Sequence, residues 1–493
     1  MARWFGYLVT ALLLVAVVVW AGQEAPPAAP RSPHSLRPPE KARLHTRHVL
    51  FDWLPIAGAT AYRLQIAEII RAGEDPFAGL LAAELTLNAP QQVVAAGLDW
   101  GRSYAWRVQP LTGSESSSYA PAGAWSPTHR FSIEPLPEHC PPTVAKQYRP
   151  GAYHPGLTLF NVSSVNKAFG GKDAGIALAV DSAGQIVWFR YEPYRFTDLH
   201  LLPNGNVLFA SHEVAYEATL DGRVVWRTPP GHRVHHDVTR LPNGNLLCLV
   251  YDERRVTFRG RRETWQGDAV EEITRAGRVI WRWSVFDYLP INEMDEVSYR
   301  KWKRDQEPYD WTHCNAAHYD GRHNAIYLSV RNLSCILKID RRTKKIVWRM
   351  GSGGNIGQGF FSYQHAPQLL SNDHLLVYDN GNRRDGRNAD EDAGNAFSRA
   401  IEIALTAAQP PAAKIVWEYR LPYSQGQGEV DRLSNGSSLI ADGYNGRILE
   451  VSAEGQPVWE LTLPGGKPRD YIIYRSERVP GLYPQFGNPP VIQ

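Results

Sequence analysis

What this 493-residue chain lacks narrows its chemistry first. No Gly-x-x-x-x-Gly-Lys-Ser/Thr loop occurs, so the backbone cradle that P-loop enzymes use for phosphates is missing. The four cysteines (Cys140, Cys248, Cys314, Cys335) include no Cys-x-x-Cys pair, and their spacing matches no zinc motif. No basic run dominates. The 53 Lys and Arg are nearly balanced by 50 Asp and Glu, for a net charge of +3, which argues against a nucleic-acid partner.

What is present favours strands and turns. The chain carries 16 Trp, 23 Tyr and 15 Phe with 41 Gly and 36 Pro, a composition that suits many short strands better than helices. It opens MARWFGYLVTALLLVAVVVWAG, where one Arg precedes an uncharged apolar run from Phe5 to Gly22. Residues 1–22 read as an export signal or membrane anchor. The run is 18 residues long, enough to tether the chain to a bilayer, while Val19-Trp20-Ala21 offers the small residues that signal peptidases accept. The expected location is therefore extracytoplasmic, such as the periplasm. Four cysteines in an exported chain are able to form disulfides, whose pairing the sequence does not give.

Residues 23–44 are rich in Pro, Ala and Arg and read as a linker. From 45 to 135, alternating apolar residues meet Trp53, Tyr62, Tyr104, Trp106 and Phe131 between Gly and Pro turns. That pattern predicts a small β-sandwich and resembles a fibronectin type III module. It carries no catalytic constellation, so a spacer or partner-binding role is expected.

Residues 136–493 hold a repeat. Six segments end in a short apolar stretch and then Trp: Trp188, Trp226, Trp281, Trp348, Trp417 and Trp459, spaced 38 to 69 residues apart. Between them recur LLPNGNVLFAS, RLPNGNLLCLV, YDGRHNAIYLSV, LLSNDHLLVYD and RLSNGSSLIAD, each a tight polar turn between apolar runs. Units of this kind predict a six-bladed β-propeller in an all-β chain. A stacked β-solenoid would demand a more constant repeat.

Aligning the blades on their hairpin turns brings residues together. His236 lies five residues before Leu241, His365 five before Leu370, and His313 falls within one residue of the same place. The two other aligned blades offer Thr197 and Gly428 there. In an unbroken antiparallel hairpin, positions equidistant from the turn face each other. His313 then sits beside Arg331, His236 opposite Tyr251 and His365 opposite Asn380, with Asn315 on the face of His313. A single strand-end histidine is more often structural than functional. Three at one register on neighbouring blades point to a site at one mouth of the channel. Three histidines also suit zinc, but Arg331 beside them would repel a cation. Imidazoles with a guanidinium suit a tetrahedral oxyanion such as sulfate or phosphate.

The strings HHDVTRLPNGN, DWTHCNAAHYD with LSVRNLSCILKID, WRMGSGG with FSYQHAPQLL and VYDNGNRR, SRAIEI with KIVWEY, and the closing YIIYRSERVPGLYP are together similar to the bacterial arylsulfate sulfotransferase family. The resemblance covers roughly residues 150–485. It implies a periplasmic six-bladed propeller that moves a sulfuryl group between small-molecule phenols, taken from an aryl sulfate. It further implies that His365 in QHAP is transiently sulfated and that His313 and Arg331 hold the sulfuryl oxygens with Asn315 beside them. His236 would assist proton transfer, with His235 taking that place if the register slips by one. No cofactor is implied, and the missing P-loop fits a donor that carries its own sulfate ester. Unlike members with a disulfide loop near the site, the segment from Trp348 to His365 holds no Cys.

Two other readings stay open. Quinone-dependent dehydrogenase propellers share the Trp-ended blades, but they need a carboxylate cage for Ca2+, whereas these channel positions are His and Arg. The other is a non-catalytic binding propeller. A homodimer and a tether through residues 5–22 are left open by the sequence.

Overall fold

The computed structural model describes residues 36–492, except for 72, 115, 117, 164–173, 306–307, 385–395, 407, 409–410, 466–469 and 489–490. The apolar run at residues 5–22 and most of the 23–44 linker therefore lie outside the described residues. Among the described residues no helix is long and apolar enough to cross a membrane.

After residue 150 the described residues form six sheets, each built on four antiparallel strands, two of which gain a short fifth strand. Their innermost strands are β1 (Phe196–Leu201), β2 (Val234–Arg240), β3 (Cys314–Asp320), β4 (His365–Leu369), β5 (Glu429–Arg432) and β6 (Ile472–Val479). Each packs against the next, and β6 packs against β1, so the sheets close a ring. The fold is a β-propeller. Closure is non-local, because β6 supplies the inner strand of a sheet whose other strands span Leu157–Ser163, Gly175–Val180 and Ile186–Glu192.

The recurring sequence marks have structural jobs. In the Asn-Gly turns the first Asn caps the turn, as when Asn204 Oδ1 accepts from the Asn206 amide at 3.0 Å. Gly205 and Gly244 supply the positive φ (79° and 82°) that the turn requires. The six tryptophans lie on the outermost meander strands. Four of them staple sheet to sheet: Trp188 Nε1 donates to Leu220 O, Trp226 to Arg275 O, Trp281 to Arg341 O and Trp459 to Ser182 O, at 2.8–2.9 Å.

Ahead of the ring, the strand Ser103–Ser114 lies between Ala61–Glu68 and His129–Ile133 in one sheet, facing a smaller sheet of Val49–Asp52 and Gln91–Val94. Phe51, Trp53, Tyr104, Trp106 and Phe131 fill the space between them. The end of the chain, Val491–Ile492, pairs parallel with Gln91–Val94 and ties the two parts together. All four cysteines are free thiols.

Candidate functional site

The inner strands are broken where they enter the channel. The ladder of β2 shifts between Val234 and Val238, that of β3 between Cys314 and Ala316, and that of β4 between His365 and Gln368. Such bulges leave residues unpaired and re-aim their side chains. At these breaks His236 (φ 58°) and Ala366 (φ 47°), and just ahead of one His313 (φ 44°), take left-handed backbone conformations that non-glycine residues seldom adopt.

The bulges correct the hairpin arithmetic, which assumes unbroken ladders. His236 does not face Tyr251. Val234 pairs with Val250, the Tyr251 amide donates to Arg233 O at 3.0 Å, and the Tyr251 ring stacks on His235 at 4.0 Å. His365 pairs with Tyr378 in the ladder, although its side chain still reaches Asn380. His313 and Arg331 flank the last pair of their hairpin, Cys314 with Val330.

The structure nevertheless gathers the predicted residues. The His236 ring lies edge-on to His313 with centroids 4.8 Å apart, and Tyr474 covers it at 5.7 Å. His313 Nδ1 is 2.5 Å from Asp310 Oδ2. Arg331 lies 4.3 Å over the Tyr363 ring and donates to Asn332 Oδ1 at 2.8 Å, while Asn332 Nδ2 donates to Asp310 O at 2.9 Å. A continuous chain of contacts thus links Arg331 to the residue that orients His313. Asn315 is fully buried and donates from Nδ2 to Gln364 O at 2.9 Å.

His365 is the most tightly defined of these groups. Asn380, fully buried, donates from Nδ2 to Ser424 O (3.0 Å) and Gln427 O (2.9 Å), which fixes its amide orientation. Its Oδ1 must then accept from His365 Nδ1 across 2.6 Å. The proton of a neutral His365 is therefore on Nδ1, and the lone pair is on Nε2. Burial, followed by the charge of Arg331, pushes the imidazolium form of His365 well out of reach at ordinary pH, and Arg475 and His313 add to the effect.

His236 is held neutral for similar reasons, burial first and then His313, His235, His365 and Arg475. Its Nδ1 lies 2.7 Å from His235 Nδ1, and His235 Nε2 lies 3.1 Å from Asp268 Oδ1 in an off-line charge contact. Burial raises the Asp268 carboxyl, but its interactions with His235, the Cys314 amide and Thr312 outweigh that and hold it below the usual carboxylate range. His235 thus stands behind His236, between Tyr251 and Asp268.

Asp268, Asp310, Tyr363, Tyr474 and Arg475 were not singled out by the sequence reading. Asp310, three residues before His313 in DWTH, gave a local signal. The others arrive from distant strands and loops. Among the described residues no three His, Cys, Asp or Glu side chains are disposed to hold a metal ion. The arrangement offers a neutral imidazole with a free Nε2, a second neutral imidazole and, in Arg331, a permanent cation. It suits attack on, and charge stabilisation of, a bound oxyanion.

The family model described as Arylsulfotransferase (ASST) matches residues 144–475. No curated protein matches the chain significantly. Among solved structures, a protein of unknown function from Bacteroides caccae aligns at 14% identity over 65% of this chain and 100% of its own, with a TM-score of 0.40. Streptogramin B lyase aligns at 11% identity over 66% of this chain and 88% of its own, with a TM-score of 0.35. Virginiamycin B lyase from Staphylococcus aureus aligns at 11% identity over 66% and 100%, with a TM-score of 0.33. Likenesses this remote carry no argument about chemistry.

Proposed function

The chain belongs to the arylsulfotransferase family, and from that premise we propose that it moves a sulfuryl group from a phenolic sulfate ester to a second phenol through a sulfated His365. One observation carries the mechanism: the Asn380 amide holds His365 by Nδ1 and so leaves the lone pair on Nε2.

In the first half-reaction Nε2 attacks sulfur, the N–S bond forms, and the S–O bond to the aryl oxygen breaks with its electron pair leaving on phenolate. Arg331 and His313 stabilise charge on the sulfuryl oxygens in a site whose donors are already in place. In the second, the acceptor phenol gives its proton to His236, its oxygen attacks sulfur, and the N–S bond breaks to regenerate neutral His365. The departing phenolate takes its proton from water, and protonated His236 returns one to water after the second step, so a complete turnover releases none. The neutral resting state of His236 suits the general base of this second step. Export through residues 5–22 belongs to the same proposal, because it would bring the protein to phenols outside the cytoplasm.

The test is a burst experiment. Mixed with an aryl sulfate and no acceptor, the protein is expected to release one phenol per site and to gain the mass of one SO3 group on the peptide holding His365. The handling must avoid acid, which cleaves N–S bonds. His365→Asn is expected to abolish the burst while leaving the fold intact. A full burst from that variant would put the nucleophile elsewhere.

A further inference from the structure

Arg475 has no part in the chemistry above, yet its side chain reaches most of the inner strands. It lies on β6, with its side chain 4% exposed. From there it reaches Asp198 on β1 (3.9 Å), Asp237 on β2 (3.8 Å), the Asn315 carbonyl on β3 (2.9 Å) and Glu429 on β5 (3.3 Å). The remaining inner strand, β4, is reached through one intermediary. Asn315 Nδ2 donates to Gln364 O, and Gln364 is the residue before His365. The ring of the neighbouring Tyr474 covers His236.

Beyond Arg475 the channel opens into a cavity of about 350 Å³ whose lining sets Asp198, Asp237, Glu429, Asp431 and Glu477 beside His200, Arg432 and Arg478. Arg475 lines this acidic chamber and also faces the histidine site. A buried guanidinium needs such partners, and a rigid fork can bond a carbonyl and carboxylates at once.

We propose that Arg475 is the positioning residue of the transfer site: it fixes Asn315 and, through it, the backbone before His365, and it screens the histidines from the acidic chamber. The inference rests on the sulfuryl-transfer reading for its kinetic consequences. Its electrostatic consequence does not need that reading. The Arg475 charge opposes protonation of both His365 and His236. The other titratable groups facing His365 are Arg331 and His313, and those facing His236 are His313, His235 and His365.

Replacing Arg475 by Gln removes the charge that opposes protonation of both histidines, so they bind protons more readily. Burial raises the Asp237 and Glu429 carboxyls and Arg475 opposes that rise, so these two groups also take up protons more readily in the variant. Both histidines work in the neutral form, so the acid limb of the rate–pH profile is expected to move up by about one pH unit. Arg475→Lys keeps the charge but cannot span the Asn315 carbonyl and the carboxylates together. It is expected to leave the limb in place and lower kcat about tenfold or more, with KM little changed. A residue that served only stability would lower Tm and leave both kcat and the limb unmoved. A folded Arg475→Gln protein with the limb unmoved overturns the proposal, and where that variant does not fold, an unchanged kcat in Arg475→Lys does so. If the wild-type protein transfers no sulfuryl group at all, the functional reading fails by itself. The proposal about Arg475 is then judged by histidine 15N spectra, in which the titration of His365 is expected to move upward in Arg475→Gln, and an unmoved titration overturns it.

Discussion

Arg331 lies over the face of Tyr363 in a cation–π contact and donates to Asn332 at the channel mouth, outside the apolar core. Truncating it removes little from the core, so its effect belongs to the chemistry. Arg331→Ala is expected to slow transfer by about 3 kcal/mol of transition-state stabilisation, on the order of a hundredfold, with little change in melting temperature. Arg331→Lys is expected to recover only part of the rate, since an ammonium lacks the planar fork. Steady-state kinetics beside a thermal melt check both, and unchanged turnover in the alanine variant would remove Arg331 from the site. His365 and Asn380 argue the same point from the other side. In the proposed mechanism His365 owes its free Nε2 to a partner that touches only the far ring nitrogen, and that partner is itself held by the carbonyls of Ser424 and Gln427. A change at either carbonyl loop acts on the reaction without approaching the substrate.

At the scale of the element, the tryptophan-ended strands make a comparison possible. Trp459 is fully buried and its Nε1–H bonds Ser182 O, joining the last sheet to the first, whereas the Trp226 bond to Arg275 O lies near the surface. Trp459→Phe removes a part-buried bond to a carbonyl that Gln147 Nε2 also reaches at 3.3 Å, and it leaves a gap in the packing of a fully buried ring, a loss of about 2 kcal/mol. Trp226→Phe is expected to cost less than about 1 kcal/mol, because water replaces the donor. Chemical denaturation of the two variants checks the order, and equal losses would show that Trp459 does not bear the closing seam. The contrast bears on what was legible in the sequence. The turns and the tryptophans are local features, so their recurrence alone announces meandering sheets and an approximate inner-strand register. That register was enough to nominate His236, His313, Arg331, Asn315 and His365. The bulges were not legible, because a break in a ladder is a compromise between strand pairing and channel packing. Hence Tyr251 was set against His236 when it stacks on His235. Arg475 escaped notice for a related reason: its strand pairs with residues more than three hundred positions earlier, a contact no local pattern reveals.

Taken as a whole, the molecule holds its two parts together through a seam that should respond to acid. His48 lies there, 5% exposed, with its carbonyl accepting from Tyr483 Oη at 2.5 Å and its amide donating to Thr46 Oγ1 at 3.0 Å. Burial, helped by the charge of Arg47, lowers its pKa to about 4. In the unfolded chain the same imidazole titrates near 6.5. Below that pH the unfolded chain binds a proton that the folded protein refuses, so stability falls as the pH drops. The window runs from 6.5 down to about 4, where the folded form begins to bind the proton and the loss levels off. At about 1.4 kcal/mol per pH unit, the full span is worth about 3 kcal/mol. His236 and His365, also held neutral, add to the loss in the same direction, so acid sensitivity of the wild type alone does not isolate His48. The informative quantity is a difference. Melting temperatures of the wild type and His48→Gln are measured at pH 7 and near pH 4.5. The glutamine variant starts lower or equal and is expected to lose less on acidification. Parallel acid losses in the two proteins would show that His48 accepts its proton in the folded state without opening the seam.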